Sequence, residues 1–98
     1  MAFIQIVESR SSRLDEIQAV ADEFEKATEG RRTVRRSIVT TDRDDPTRHF
    51  VIVFFDSYES AMENSNLPET QEFSQKMQTL VDGPPTFYNL DVSRDQSF

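Results

Sequence analysis

One histidine, two tyrosines and a run of four arginines are the residues of this 98-residue chain whose types can do chemistry. His49 is the sole side chain with an unperturbed pKa near neutrality, which makes it the first choice as a general base or a metal ligand. A metal site needs several ligands converging, and there is no second histidine and no cysteine. No metal is therefore expected, and a surface or strand-edge histidine is the plainer reading of His49. Tyr58 and Tyr88 are the other groups able to move a proton, so His49, Tyr58 and Tyr88 form the catalytic candidates. Arg31, Arg32, Arg35 and Arg36 place four guanidinium groups within six residues, a density that suits bidentate capture of a carboxylate or phosphate. Strand alternation sends Arg35 one way and Arg32 with Arg36 the other, and charge guarding an edge strand explains the run as well.

A second group mixes aromatics with amides. Tyr58, Asn64 and Asn66 fall on or beside a helix, and Phe87, Tyr88 and Asn89 on a strand. Such a mixture can line a pocket for a flat ligand. Ordinary packing and helix capping explain the same residues, Asn66 having a capping role ahead of Pro68. There is no Gly-rich phosphate loop, Ser-His-Asp set or EF-hand pattern, and two glycines in all leave no room for most nucleotide motifs. No cofactor is expected.

These residues need elements to hold them. Ala2 to Glu8 reads as a first strand. A helical stripe follows at Leu14, Ile17, Val20, Ala21, Phe24 and Ala27, opened by Ser12 with Asp15 and stopped by Gly30. Arg32 to Thr41 and His49 to Phe55 form a hairpin about an Asp and Pro turn over Asp42 to Thr47. Asp56 with Glu59 has a capping-box pattern for a helix over Tyr58 to Asn64. Pro68 must break that helix, and Asn66 with Glu69 caps the next segment, which carries Phe73, Met77, Leu80 and Val81. Asp82 to Pro85 ends it, and Thr86 to Val92 is a fourth strand. The order is βαββαβ in one domain spanning 1–98, with a loose polar tail at 93–98 whose Phe98 can dock on a partner. The fold class is α+β, ferredoxin-like, with a four-stranded antiparallel sheet and two helices on one face.

Phe50 to Phe55 has no polar residue on either parity, so both faces of that strand must be covered. Helices cover one face, and a second copy of the sheet is the economical cover for the other. Parity sorts the strands into two sets. Ile4, Ile6, Val34, Ile38, Phe50, Ile52, Phe54, Leu90 and Val92 form an almost purely apolar set, assigned to the helices. Phe3, Gln5, Val7, Arg35, Ser37, Val39, His49, Val51, Val53, Phe55, Phe87 and Asn89 form the other, assigned to the partner-facing side, where a cavity can form. That assignment makes Val53→Glu the substitution expected to break a homodimer. From this set, Phe3, Gln5, Arg35, Ser37, His49, Val51, Val53, Phe55, Phe87 and Asn89, joined by Asn64, are the candidate ligand-binding residues.

The balance of 18 acidic against 11 basic residues, a net charge of −7, opposes binding to a phosphate backbone. The longest apolar run is far short of the roughly 20 residues a membrane helix needs. With no cysteine and no basic-then-apolar leader, a cytoplasmic location without membrane or nucleic-acid partners is expected. An RNA-recognition motif shares the element order, and Arg48, Phe50, Val53 and Phe55 echo its signature strand. Against it stand His49 and Val51 where small residues are expected, and Ile52 where a second stacking aromatic would be.

The chain resembles the dimeric α/β-barrel superfamily, in particular the small antibiotic biosynthesis monooxygenase-like (ABM-like) proteins, over nearly its whole length. The stretches that carry the likeness run from Phe55-Asp-Ser-Tyr to Leu67-Pro-Glu-Thr and from Asp82-Gly-Pro-Pro to Leu90-Asp-Val. The resemblance implies sheet-to-sheet pairing. It also implies cofactor-independent oxidation of a small aromatic or polyketide-like substrate, or haem opening, by Asn, Trp, His and Tyr in a pocket between sheet and helices. This chain has no Trp, and Gln5 stands where the haem-degrading pattern has Asn. A non-catalytic small-molecule-binding or stress-response dimer is the alternative.

Overall fold

The computed structural model describes residues 2–98. Strand β1 (Phe3–Arg10) leads into helix α1 (Leu14–Ala27), followed by β2 (Arg36–Asp42), β3 (Asp45–Phe55), α2 (Tyr58–Ser65), α3 (Pro68–Gln78) and β4 (Thr86–Asp91). The sheet is antiparallel in the order β2-β3-β1-β4, which is the ferredoxin-like arrangement. β1 therefore runs parallel to β2 with β3 between them, and β3 runs parallel to β4 with β1 between them. Crossovers between parallel strands of one sheet are right-handed, so both connections deliver their helices to the same face.

Local chemistry sets the boundaries. Ser57 accepts from the Ser60 amide and the Ser60 hydroxyl accepts from the Ser57 amide, closing a capping box at the start of α2. The cap is thus Ser57, not the expected Asp56, whose carboxylate is taken by Arg35. Pro68 opens α3 at a position where its missing N–H costs nothing, and Asn66 ends α2 instead of starting α3. Likewise Ser12 does not cap α1, which starts after Arg13 with no side-chain cap, while the Arg13 amide donates to the Ser11 hydroxyl. Gly30, at φ +81°, supplies the left-handed turn that stops the chain after α1. The hairpin is tighter than expected, turning at Arg43 and Asp44 with a register shift between Thr41 and Asp42. The Asp42 carboxylate accepts the Asp44 amide there.

The helix-facing side is the opposite of the one parity alone suggested. Phe3 and Phe55 are buried with Ala61 of α2, and Val34, Val53 and Met62 pack against them. His49, on the same pleat, is 3% exposed. The helices thus cover the Phe3, Val53, Phe55 and His49 set. Ile4, Ile6, Ile38, Ile52, Phe54 and Leu90 stand on the open face. Both sets are apolar enough to be cores, so composition could not choose between them. Val34 is the exception, because it precedes β2 and turns in toward the helices.

The helices leave the sheet unevenly covered. Val39 and Phe87, at opposite edges of the helix-facing side, are 51% and 55% exposed. The total accessible surface is 7022 Å², against about 5,800 Å² for a folded monomer of this mass. Among the described residues no helix is long and apolar enough to cross a membrane. The segment 93–98 is exposed and takes no regular structure.

Candidate functional site

Register places the candidate residues in rungs across the helix-facing side. Ser37, Val53, Gln5 and Asn89 stand in one rung. On one side of it lies the rung of Phe55 and Phe3, and on the other the rung of Val39, Val51, Val7 and Phe87. The Gln5 amide donates to the Asn89 side-chain carbonyl at 3.2 Å. An amide pair thus sits between an aromatic rung and an aliphatic one. At the aromatic end Tyr58 presents its ring edge-on to Phe3, with centroids 5.4 Å apart and planes at 81°.

His49 lies at the far end, six residues from Phe55 along β3 and so about 20 Å away. Its Nδ1 is 3.0 Å from the Thr41 hydroxyl and its Nε2 is 3.0 Å from the Ser11 carbonyl oxygen. A carbonyl only accepts, so Nε2 carries a proton and donates it, while Nδ1 pairs with the Thr41 hydroxyl. Both nitrogens are then occupied. Ser11, 1% exposed, donates its hydroxyl to the Leu80 carbonyl at 2.6 Å. Together these bonds clasp β2, β3, the entry to α1 and the exit from α3. His49 is thus neither at the surface nor on an edge strand, the two placements expected of it, but buried on the inner strand β3, and the Thr41 hydroxyl eight residues upstream across the hairpin is the sequence signal for the clasp.

Tyr88 is on the other face of the sheet. Its hydroxyl donates to Glu8 at 2.8 Å, and Arg48 binds the second Glu8 oxygen at 2.9 Å. The Tyr88 hydrogen bond, with Arg48 second, lowers the Glu8 pKa, and the same bond raises that of Tyr88 and keeps the phenol protonated. Arg48 also lies over the Phe50 ring at 4.8 Å, as Arg36 does over Phe54 at 5.5 Å. The three catalytic candidates are therefore held apart, two at opposite ends of one face and the third behind the sheet.

Asn64, 7% exposed, accepts the Thr33 amide at 3.4 Å and so ties α2 to the segment before β2. It lies near the aromatic end and not in the amide rung. The arginine run is dispersed. Arg31 pairs with Glu69, Arg32 donates to the Glu25 carbonyl at 2.6 Å, Arg35 grips Asp56 and Arg36 covers Phe54. β2 is an edge strand, as the charge-guarded reading has it. Phe50 and Ile52 of the RNA-like signature stand on the open face, and Val53 and Phe55 under the helices. Among the described residues no three His, Cys, Asp or Glu side chains converge as a metal would require.

With the architecture in view, solved structures supply close relatives in shape. A protein of Caulobacter crescentus, provisionally named an antibiotic biosynthesis monooxygenase, superposes with a TM-score of 0.82 at 10% identity, over 95% of this chain and 91% of that one. The chain has the ABM-like fold. A Mycobacterium tuberculosis protein gives a TM-score of 0.79 at 15% identity over 99% and 100% of the two chains. A Chloroflexus aurantiacus protein, also provisionally named an antibiotic biosynthesis monooxygenase, gives 0.76 at 17% identity over 99% and 98%. Identities this low speak for the ABM-like fold alone. No family model matches the chain and no curated protein does.

Proposed function

We propose that this ABM-like chain forms a homodimer through its open sheet face and binds a small flat aromatic or polyketide-like molecule between sheet and helices. The observation that carries the binding reading is the Gln5 and Asn89 amide pair set between aromatic and aliphatic rungs, with Asn89 and Phe87 exposed beside it. Flat apolar surface with a few placed polar groups is what a ligand site of this kind requires. The dimer reading rests on the open face of Ile4, Ile6, Ile38, Ile52, Phe54 and Leu90. It rests also on a surface excess of about 1,200 Å² over a compact monomer, more than the roughly 800 Å² each partner gives to a standard interface.

Cofactor-independent oxygenation of the bound molecule is the second reading, favoured by the names of the structural neighbours. In that reading the substrate ionises with little help, because His49 has both ring nitrogens engaged and Tyr88 faces away. Anthrones and quinols ionise readily and suit it. The test is oxygen uptake with an anthrone or a quinol alongside a binding titration by ligand absorbance. Binding with uptake supports the oxygenase, and binding without uptake supports a non-catalytic binding module. Absence of binding at millimolar ligand overturns both.

A further inference from the structure

One run of hydrogen bonds crosses the open face of the sheet. Tyr88 on β4 donates its hydroxyl to one Glu8 oxygen at 2.8 Å, and Arg48 on β3 donates from Nε to the other at 2.9 Å. The Arg48 Nη1 then reaches Asp42 on β2 at 3.2 Å. The run therefore ties all four strands together, and the guanidinium lies over the Phe50 ring. Its charged side chains are well covered for a face with no helix on it, Glu8 being 21% exposed, Asp42 23% and Arg48 35%. The Arg35 and Asp56 pair, at 69% and 61%, shows what an ordinary surface ion pair looks like in this chain.

Beside this crossbar lie two apolar rungs, Phe54, Ile4 and Leu90 with Arg36, and Ile38, Ile52 and Ile6 with Tyr88. Two rungs take up about 14 Å along the strands and four strands about 19 Å across, or about 270 Å² in flat projection. Each partner in a standard interface gives up about 800 Å². A second copy seated on the apolar rungs alone is therefore too small a contact. The next rung holds Thr40, Phe50, Glu8 and Thr86, so extending the contact brings the crossbar under the partner. Burying charge is tolerable only where the charges are already paired and hydrogen-bonded, which is their condition in the single chain.

We propose that the second copy covers the Tyr88, Glu8, Arg48 and Asp42 crossbar together with the apolar rungs, and that Arg48 is the residue that makes this end of the face fit to be buried. The inference rests on the dimer reading above and sets how far the interface reaches and which charge it depends on. Arg48 faces two carboxylates, Glu8 and Asp42. Arg10, opposite Arg48 across the β1 and β3 pairing, is bound to Asp45. Taking Arg48 away strands two carboxylates in the interface, and taking Glu8 away as well removes one of them.

The test is sedimentation equilibrium of the full chain, of Arg48→Met, of Arg48→Met combined with Glu8→Gln, and of Arg35→Met as a control off the open face. Circular dichroism shows that each variant is folded. Arg48→Met is expected to raise the dimer dissociation constant about tenfold or more. Adding Glu8→Gln should bring it back to within about threefold of the parent, and Arg35→Met should leave it within about twofold. An Arg48→Met dimer as tight as the parent's, or no recovery on adding Glu8→Gln, overturns the crossbar inference and leaves the dimer reading standing. A parent chain that is monomeric at micromolar concentration overturns both.

Discussion

His49 Nε2 lies 3.0 Å from the Ser11 carbonyl oxygen in a spot where both residues are buried. The one imidazole in the chain is thereby a fastener between β3 and the turn into α1. Replacing it with alanine leaves the Ser11 carbonyl and the Thr41 hydroxyl without their partner. His49→Ala is expected to lower unfolding free energy by about 2 kcal/mol in a urea titration. Ligand affinity at the amide rung, about two rungs away along the sheet, should stay within twofold.

The two parities of β3 offer a contrast in dimerisation. Ile52 is on the open face and Val53 packs against Phe3, Phe55 and Ala61. Ile52→Glu is expected to halve the mass seen by light scattering at micromolar concentration, down to the 11.4 kDa of one chain. Val53→Glu places a charge under the helices instead, so it should lower the thermal midpoint without a specific loss of the dimer. A monomeric parent protein would refute the pairing.

Ser57 carries the capping box of α2. Removing its hydroxyl by Ser57→Ala orphans the Ser60 amide and is expected to cost about 1 kcal/mol in chemical denaturation. Asp56→Ala, which loses only an exposed ion pair with Arg35, should cost less than half of that.

Acid should weaken the fold in a defined window. Asp45 is lowered from 3.8 to about 2, first by the Thr47 hydroxyl and then by Arg10. Glu8, Asp56 and Glu69 are lowered too, led by hydrogen bonds from Tyr88, Arg35 and Arg31 respectively. A carboxylate depressed on folding stabilises the native state above its unfolded pKa, and that stability is lost as pH falls toward the folded value. Thermal midpoints should therefore be level above about pH 5 and fall between about pH 4 and 2. Asp45→Asn should make that fall shallower, and an unchanged slope would remove Asp45 from the explanation.

Much of the fold was legible in residue order. Helix period at Leu14 to Ala27, the break at Pro68, the Gly stops and the strand runs all express local physics that the chain carries wherever it goes. The exact caps were less legible, because Asp56, Ser57, Ser12 and Ser11 are all competent cap residues. At α2 Arg35 takes the Asp56 carboxylate and Ser57 caps; at α1 no side chain caps, and Ser11 instead joins the Arg13 amide to the Leu80 carbonyl.

The site divides the same way. By itself the sequence determined the partition of each strand into two residue sets, since alternation follows from the pleat and nothing distant can change it. Only the tertiary structure decided which set faces the helices. Both sets are apolar, so burial favoured neither. The outcome depended on the right-handed crossovers that fix the side on which α1, α2 and α3 lie, and on how the strands leave their turns. That decision placed Gln5, Ser37, Val53 and Asn89 on the helix-facing side, put Tyr88 behind the sheet, and left Ile52 as the residue to test for a partner.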